Sequence, residues 1–254
     1  MTVALATFVM IGGLSIRQIT APSFALPALA SGIAAVSDVD RYLADHSAEL
    51  HESVAGGRTD AVLLRGFPVD VVITPEDLGS ESGELRSTVL FRAAARVYEG
   101  GSAEFDRTGN QSLELMSGEY VLATLVDRLN GDTHRLMGWL AFVSALAAGG
   151  GAAMLILQNG RLPAVLGAAV LVGAAPGVVI ACLAWLLGGQ YGSGADPYAA
   201  EIRSILRAAA GIPVRNFLIA AAAGGLISAS VVVSDLLGGR IGRASEREPE
   251  AIIG

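Results

Sequence analysis

Leu136 to Leu157 reads LMGWLAFVSALAAGGGAAMLIL and Leu162 to Gly188 reads LPAVLGAAVLVGAAPGVVIACLAWLLG, and neither stretch holds a charged side chain. At about 1.5 Å of rise per residue, each is long enough to cross a hydrocarbon core of about 30 Å as a helix. Only Gln158, Asn159, Gly160 and Arg161 separate them, which reads as a tight antiparallel hairpin turning at Asn-Gly. A third uncharged segment runs from Asn216 to Ser234, and Asp235 marks its exit. Residues 136–237 are therefore expected to form a three-span transmembrane bundle.

Helices in lipid gain little by hiding apolar surface from one another, so close approach through small residues has to hold them together. Four-residue spacing gives such rows at Ala145, Gly149 and Ala153 on the first span and at Ala169, Gly173, Gly177 and Ala181 on the second. The third carries Ala220, Gly224 and Ser228, with Ala221, Gly225 and Ala229 beside them. Pro176 removes a backbone donor in mid-span and is expected to kink the second helix. Trp139, Trp185, Tyr191 and Phe217 fall at span ends on one face, the expected level of an aromatic belt.

Outward from the bundle, residues 1–36 carry one charged side chain, Arg17, and read as a hydrophobic anchor. Pro22 and Pro27 interrupt it, so one kinked span or a re-entrant pair is expected. A signal segment ending at Ala28-Leu29-Ala30 fits less well, because no basic region precedes the apolar stretch. Residues 37–135 hold 18 of the 24 acids against nine of the 17 basic residues, a net charge of −9, and are expected to form a small acidic α+β soluble domain. Ser37 and Asp40 have capping-box spacing ahead of a helix that should stop at Gly56-Gly57. Strands are expected at Ala61–Leu64 and Val69–Ile73 and a helix over Gly83–Tyr98. A hairpin around Asp106–Gln111 and a helix from Gly118 to Leu129, capped by Ser117 and stopped by Asn130-Gly131, should follow. Asp132 or Thr133 then caps the first span. Between the second and third spans, Tyr198, Ile202, Ile205, Leu206 and Ala209 form an apolar stripe, predicting an interfacial amphipathic helix at 196–210 that ends at Gly211 and Pro213. Residues 238–254 mix Arg with acids and are expected to be a disordered tail.

Composition excludes several chemistries. The chain is 52% hydrophobic and 16% charged, and all 17 basic residues are arginine, so P-loop, Schiff-base and kinase-type lysines are absent. Cys182 is the one cysteine and reads as a packing residue, which removes intramolecular disulfides and Cys-based zinc sites. His46 and His51 are five apart and point to different helix faces, so no metal is expected there with Glu49. The spans hold no histidine and no pair of acids, leaving intramembrane hydrolysis without a catalytic set. Arg86, Arg92 and Arg96 could contact a phosphate or headgroup. The acidic balance disfavours nucleic acid. Asn110-Gln111-Ser112 fits the N-glycosylation pattern, relevant only to an outward-facing domain.

No site residues for catalysis, cofactors or metals emerge, and a non-enzymatic role is expected: a binding, sensing or accessory subunit whose domain is coupled to the bundle. A pore or carrier for a neutral or apolar solute and a self-associating envelope component are the alternatives. The expected partners are the lipid bilayer and a second copy or another membrane subunit. Six arginines flank the spans on the domain side and four on the other, which leans toward a cytoplasmic domain.

Overall fold

A computed structural model describes residues 1–55, 62–64, 67–79, 82–104, 124, 126–158, 162–191 and 197–245. Its order is α1 (Thr2–Ile19), α2 (Pro22–Val36), α3 (Val39–Ala55), β1 (Val62–Leu63), β2 (Val72–Ile73), α4 (Pro75–Leu78), α5 (Ser82–Gly100), a 3-10 turn at Gly101–Glu104, α6 (Gly131–Gln158), α7 (Leu162–Gln190) and α8 (Pro197–Ser245). Four helices are long and apolar enough to cross a membrane: α1, α6, α7 and α8. Contacts divide the chain into two units, Met1–Ser15 with Gly138–Ala184 and Gly211–Gly254, and Ile16–Met137 with Trp185–Ala210.

The first unit is a bundle of four helical segments. The expected three-span bundle is corrected by α1, whose first turns pack among the others. Val3 lies against Gly151 and Gly13 against Ala141, so α1 and α6 run antiparallel. The Ala4 carbonyl abuts Gly173 on α7. On α7 and α8, Gly167 faces Gly224 and Ser228, while Gly177 faces the Phe217 ring. A side chain at Gly167 would stand 2.8 Å from the Gly224 carbonyl, closer than van der Waals contact allows. Asn216 Nδ2 donates to Ser15 Oγ at 3.0 Å, and Ser15 Oγ donates to the Ile11 carbonyl at 2.8 Å, so polar groups among the helices are satisfied locally. Outward positions are apolar: Phe142, Leu146, Met154, Val172, Val179, Leu226 and Val232 are all exposed. An apolar exterior around a small-residue interior is the arrangement lipid favours.

The second unit has a conventional hydrophobic core. Ala25, Leu29 and Ile33 of α2 meet Val89, Ala93 and Val97 of α5, together with Val39, Leu50, Leu64, Phe67, Val69, Val71 and Ile73. Residues 1–36 are therefore not one anchor. The chain breaks at Thr20-Ala21, with Ala21 extended and Pro22 opening a new helix, and α2 buries one face in this core. The strands are shorter than expected, a two-residue antiparallel ladder pairing Val62 with Ile73 and Leu63 with Val72. Residues 105–123 lie outside the described ones, and with them the expected hairpin, the Ser117 cap and most of the helix from Gly118. The caps also differ from expectation. Asp38, not Ser37, accepts from the Arg41 amide at 3.3 Å, and Ser37 Oγ instead donates to Ile33 of α2 at 2.6 Å. Helical residues 126–128 end before Asn130, and Asn130, not Asp132 or Thr133, caps the next helix: its Oδ1 accepts from the Thr133 amide at 2.7 Å and opens α6.

The interfacial helix expected at 196–210 is no separate element. α8 continues for 49 residues through Gly211 and Pro213. Proline forfeits one backbone hydrogen bond, which a long apolar helix tolerates when its neighbours hold it. The division between units nonetheless falls at Gly211, so the amphipathic part and the spanning part belong to different units. The tail is likewise helical as far as Ser245.

Candidate functional site

The second unit contains a groove of about 850 Å³ between α2, α5 and the start of α8. Along α2, Pro27, Ala30, Ser31, Ala34 and Ala35 form one wall. These positions recur at helical spacing on the side opposite Ala25, Leu29 and Ile33, the face that enters the core. Because four of the five are alanine or serine, the wall stands back from its neighbours and leaves space. Ser87, Leu90 and Phe91 of α5 form the second wall, and Phe91 is exposed despite its size. No residue of α2 is charged. Both of its long faces are therefore apolar, one covered by the core and the other open to the groove.

Two charged side chains edge this space, Arg86 and Glu201. Arg86 Nε bonds Asp40 Oδ1 at 2.9 Å, joining α5 to the start of α3. Glu201 sits half-buried near the start of α8, and among the described residues its carboxylate has no ion-pair partner. Polar and ring contacts hold the start of α8 to the end of α7. Arg203 Nε donates to the Tyr191 carbonyl at 2.7 Å, and the Arg207 guanidinium lies 5.3 Å above the Trp185 ring.

The three arginines read as headgroup or phosphate contacts each meet an acid instead of converging. Arg86 pairs with Asp40, Arg92 with Asp77 at 2.6 Å, and Arg96 with Glu104 at 3.2 Å. Arg92 makes the tightest set: Nη1 and Nη2 grip both oxygens of Asp77, and Nη1 also donates to the Val72 carbonyl at 2.7 Å. Asp77 in turn completes a capping box with Thr74 at the head of α4. Burial pushes the Asp77 carboxyl up, but the Thr74 amide and hydroxyl and the Arg92 guanidinium outweigh it and hold the group below its ordinary value.

A second polar cluster closes the break between α1 and α2. Tyr98 Oη donates to the Thr20 carbonyl at 2.8 Å, and His134 Nδ1 lies 3.0 Å from the Arg17 carbonyl. A carbonyl only accepts, so His134 carries its proton on Nδ1 in this bond. The last carbonyls of α1 are thus capped by α5 and α6. Burial raises the Tyr98 phenol above its ordinary value, with Arg135 opposing the shift. Neither His134 nor Tyr98 stood out in the sequence, because their partners are backbone carbonyls more than 70 residues away.

The expected packing rows divide. Gly173, Gly177, Ala181 and Gly224 are buried between helices, with Ala169, Ala220 and Ser228 half-buried beside them. Ala145, Gly149 and Ala153 face outward, and nothing lies within 4 Å of the space above Gly149. On α6 the inward positions are Ala141, Ser144 and Gly151. Pro176 also faces outward. Trp139 and Trp185 are exposed and Tyr191 is half-buried, whereas Phe217 is a core residue whose ring lies tilted against Phe8, centroids 5.6 Å apart. Comparison with protein-family models, with curated proteins and with solved structures finds no match to this chain.

Proposed function

We propose that the chain is a four-span integral membrane protein with a non-catalytic role, binding a small ligand in the α2–α5 groove and relaying occupancy to the bundle as a sensor or accessory subunit. The observation that carries this reading is the groove itself: a roomy cleft along an uncharged helix whose other face is core. Pockets that hold small molecules have this character, about 300–1,000 Å³ with mostly apolar walls and few polar groups. The relay is supported by continuity, since α1, α6, α7 and α8 each contribute residues to both units. The excess of arginine beside Ile16–Met137 and Trp185–Ala210 supports a cytoplasmic setting for that unit.

Native mass spectrometry of the purified full chain tests the binding reading. A retained small molecule that is lost on Ala34→Phe, which fills the groove, is the expected result. Identical spectra for both proteins, or turnover of the retained molecule, would contradict it.

Self-association is a second reading, favoured by the outward row of Ala145, Gly149 and Ala153. Small residues let a second copy approach closely in lipid. Energy transfer between labelled copies should then fall on Gly149→Leu while the fold of each copy persists.

A further inference from the structure

We infer that the groove takes an amphipathic cation: an apolar body ending in one ammonium group, with Glu201 as its counter-ion. This rests on the reading of the groove as a ligand site and assigns the chemistry of what enters it. The apolar part follows from the walls, where Pro27, Ala30, Ala34, Ala35, Leu90 and Phe91 offer contact surface and Ser31 and Ser87 add two hydroxyls. The sign follows from the charges. Arg86 is answered by Asp40 at 2.9 Å, and that pair is neutral as a whole. Glu201 makes no ion pair among the described residues, so of the two charges that edge the groove it is the one left to answer a ligand.

The composition acts in the same direction, because residues 37–135 carry 18 acids against nine arginines. Such a field gathers cations and repels anions before any contact is made. An anionic amphiphile would meet an Arg86 whose Nε already holds Asp40 and would still lie near Glu201. A cationic one finds Glu201 available and leaves the existing pair undisturbed. Half-burial of Glu201 strengthens the attraction relative to open water without the large desolvation cost of a deep site.

The test uses the full chain in lipid nanodiscs with a dansyl-octyl-trimethylammonium probe and its matched dansyl-octyl-sulfonate, with empty nanodiscs as background. Saturable binding of the ammonium probe alone is expected, weakened by about tenfold in Glu201→Gln, a change of about 1.4 kcal/mol. Arg86→Gln should tighten it, and Ala34→Phe or Ala30→Phe should abolish it. Glu201→Gln changes charge at nearly constant shape, so it reports even if a phenylalanine variant is poorly folded. Saturable sulfonate binding that Ala34→Phe abolishes, or ammonium binding indifferent to Glu201→Gln, would overturn the cation assignment while leaving a ligand groove in place. Absence of saturable binding by either probe, or binding unaffected by both phenylalanine variants, would overturn the assignment and the groove reading together.

Discussion

Asp77 receives the Thr74 amide at 2.7 Å, the Thr74 hydroxyl at 2.7 Å and both Arg92 nitrogens, and its side chain is 15% exposed. Its folded-state pKa is depressed. The stabilisation is therefore complete above the ordinary carboxylate range and is lost as pH falls through the depressed value. Asp77→Asn keeps the shape and removes the charge. The expected cost is about 1–2 kcal/mol, discounted for the 39% exposure of Arg92, read as a lower unfolding midpoint at pH 7. The difference from the parent protein should shrink as the pH is lowered, and a pH-independent difference would contradict the clamp. Tyr98→Phe deletes the hydroxyl that caps Thr20 and should cost about 1 kcal/mol by the same measurement. At this scale the sequence was partly legible. The arginines of α5 stood out, but their acids lie on other elements, so pairing could not be distinguished from a shared anion site. The capping box of Thr74 and Asp77, by contrast, lies within four residues, close enough for a sequence to carry it.

The elements differ in how clearly spacing exposes their contacts. On α7, Gly173 meets Ala4 and Gly177 meets the Phe217 ring. On α6 nearly every residue from Ala145 to Ala153 is small, and no spacing singles out one face; the inward positions are Ala141, Ser144 and Gly151. Paired substitutions separate the two cases. Gly224→Leu forces a side chain against the Gly167 carbonyl and the Leu171 amide, each 2.8 Å from its first carbon, and should destabilise the bundle by about 3 kcal/mol or more. Gly149→Leu meets nothing within 4 Å and should leave the thermal midpoint in detergent unchanged within a degree or so of the parent. Equal effects of the two would place the α6 row inside the bundle after all. The α2 surprise has a similar origin. A 15-residue apolar helix looks the same in sequence whether lipid or a protein core covers it. Its short length and its Pro22 start were the available signals, and they separated it from α1.

For the whole molecule, the division between units cuts through four helices instead of falling in loops. Composition located the polar region 37–135 but could not reveal that residues 16–36 and 185–210 belong with it, because membership depends on which apolar faces meet. Four helices of spanning length give an even number of crossings, so the start of α1 and the end of α8 are expected on one side of the membrane. Ile16–Met137 and Trp185–Ala210 are then expected on the other, the side proposed above as cytoplasmic from six flanking arginines against four. Single cysteines at Thr2 and at Ala48, both exposed, placed in a Cys182→Ala background and treated with an impermeant thiol reagent in intact cells, test this most directly. The account predicts that Thr2→Cys is labelled in intact cells and that Ala48→Cys reacts only after permeabilisation. The reverse pattern would keep four crossings and invert the orientation; labelling of both from outside, or of neither, would contradict the four-span reading itself.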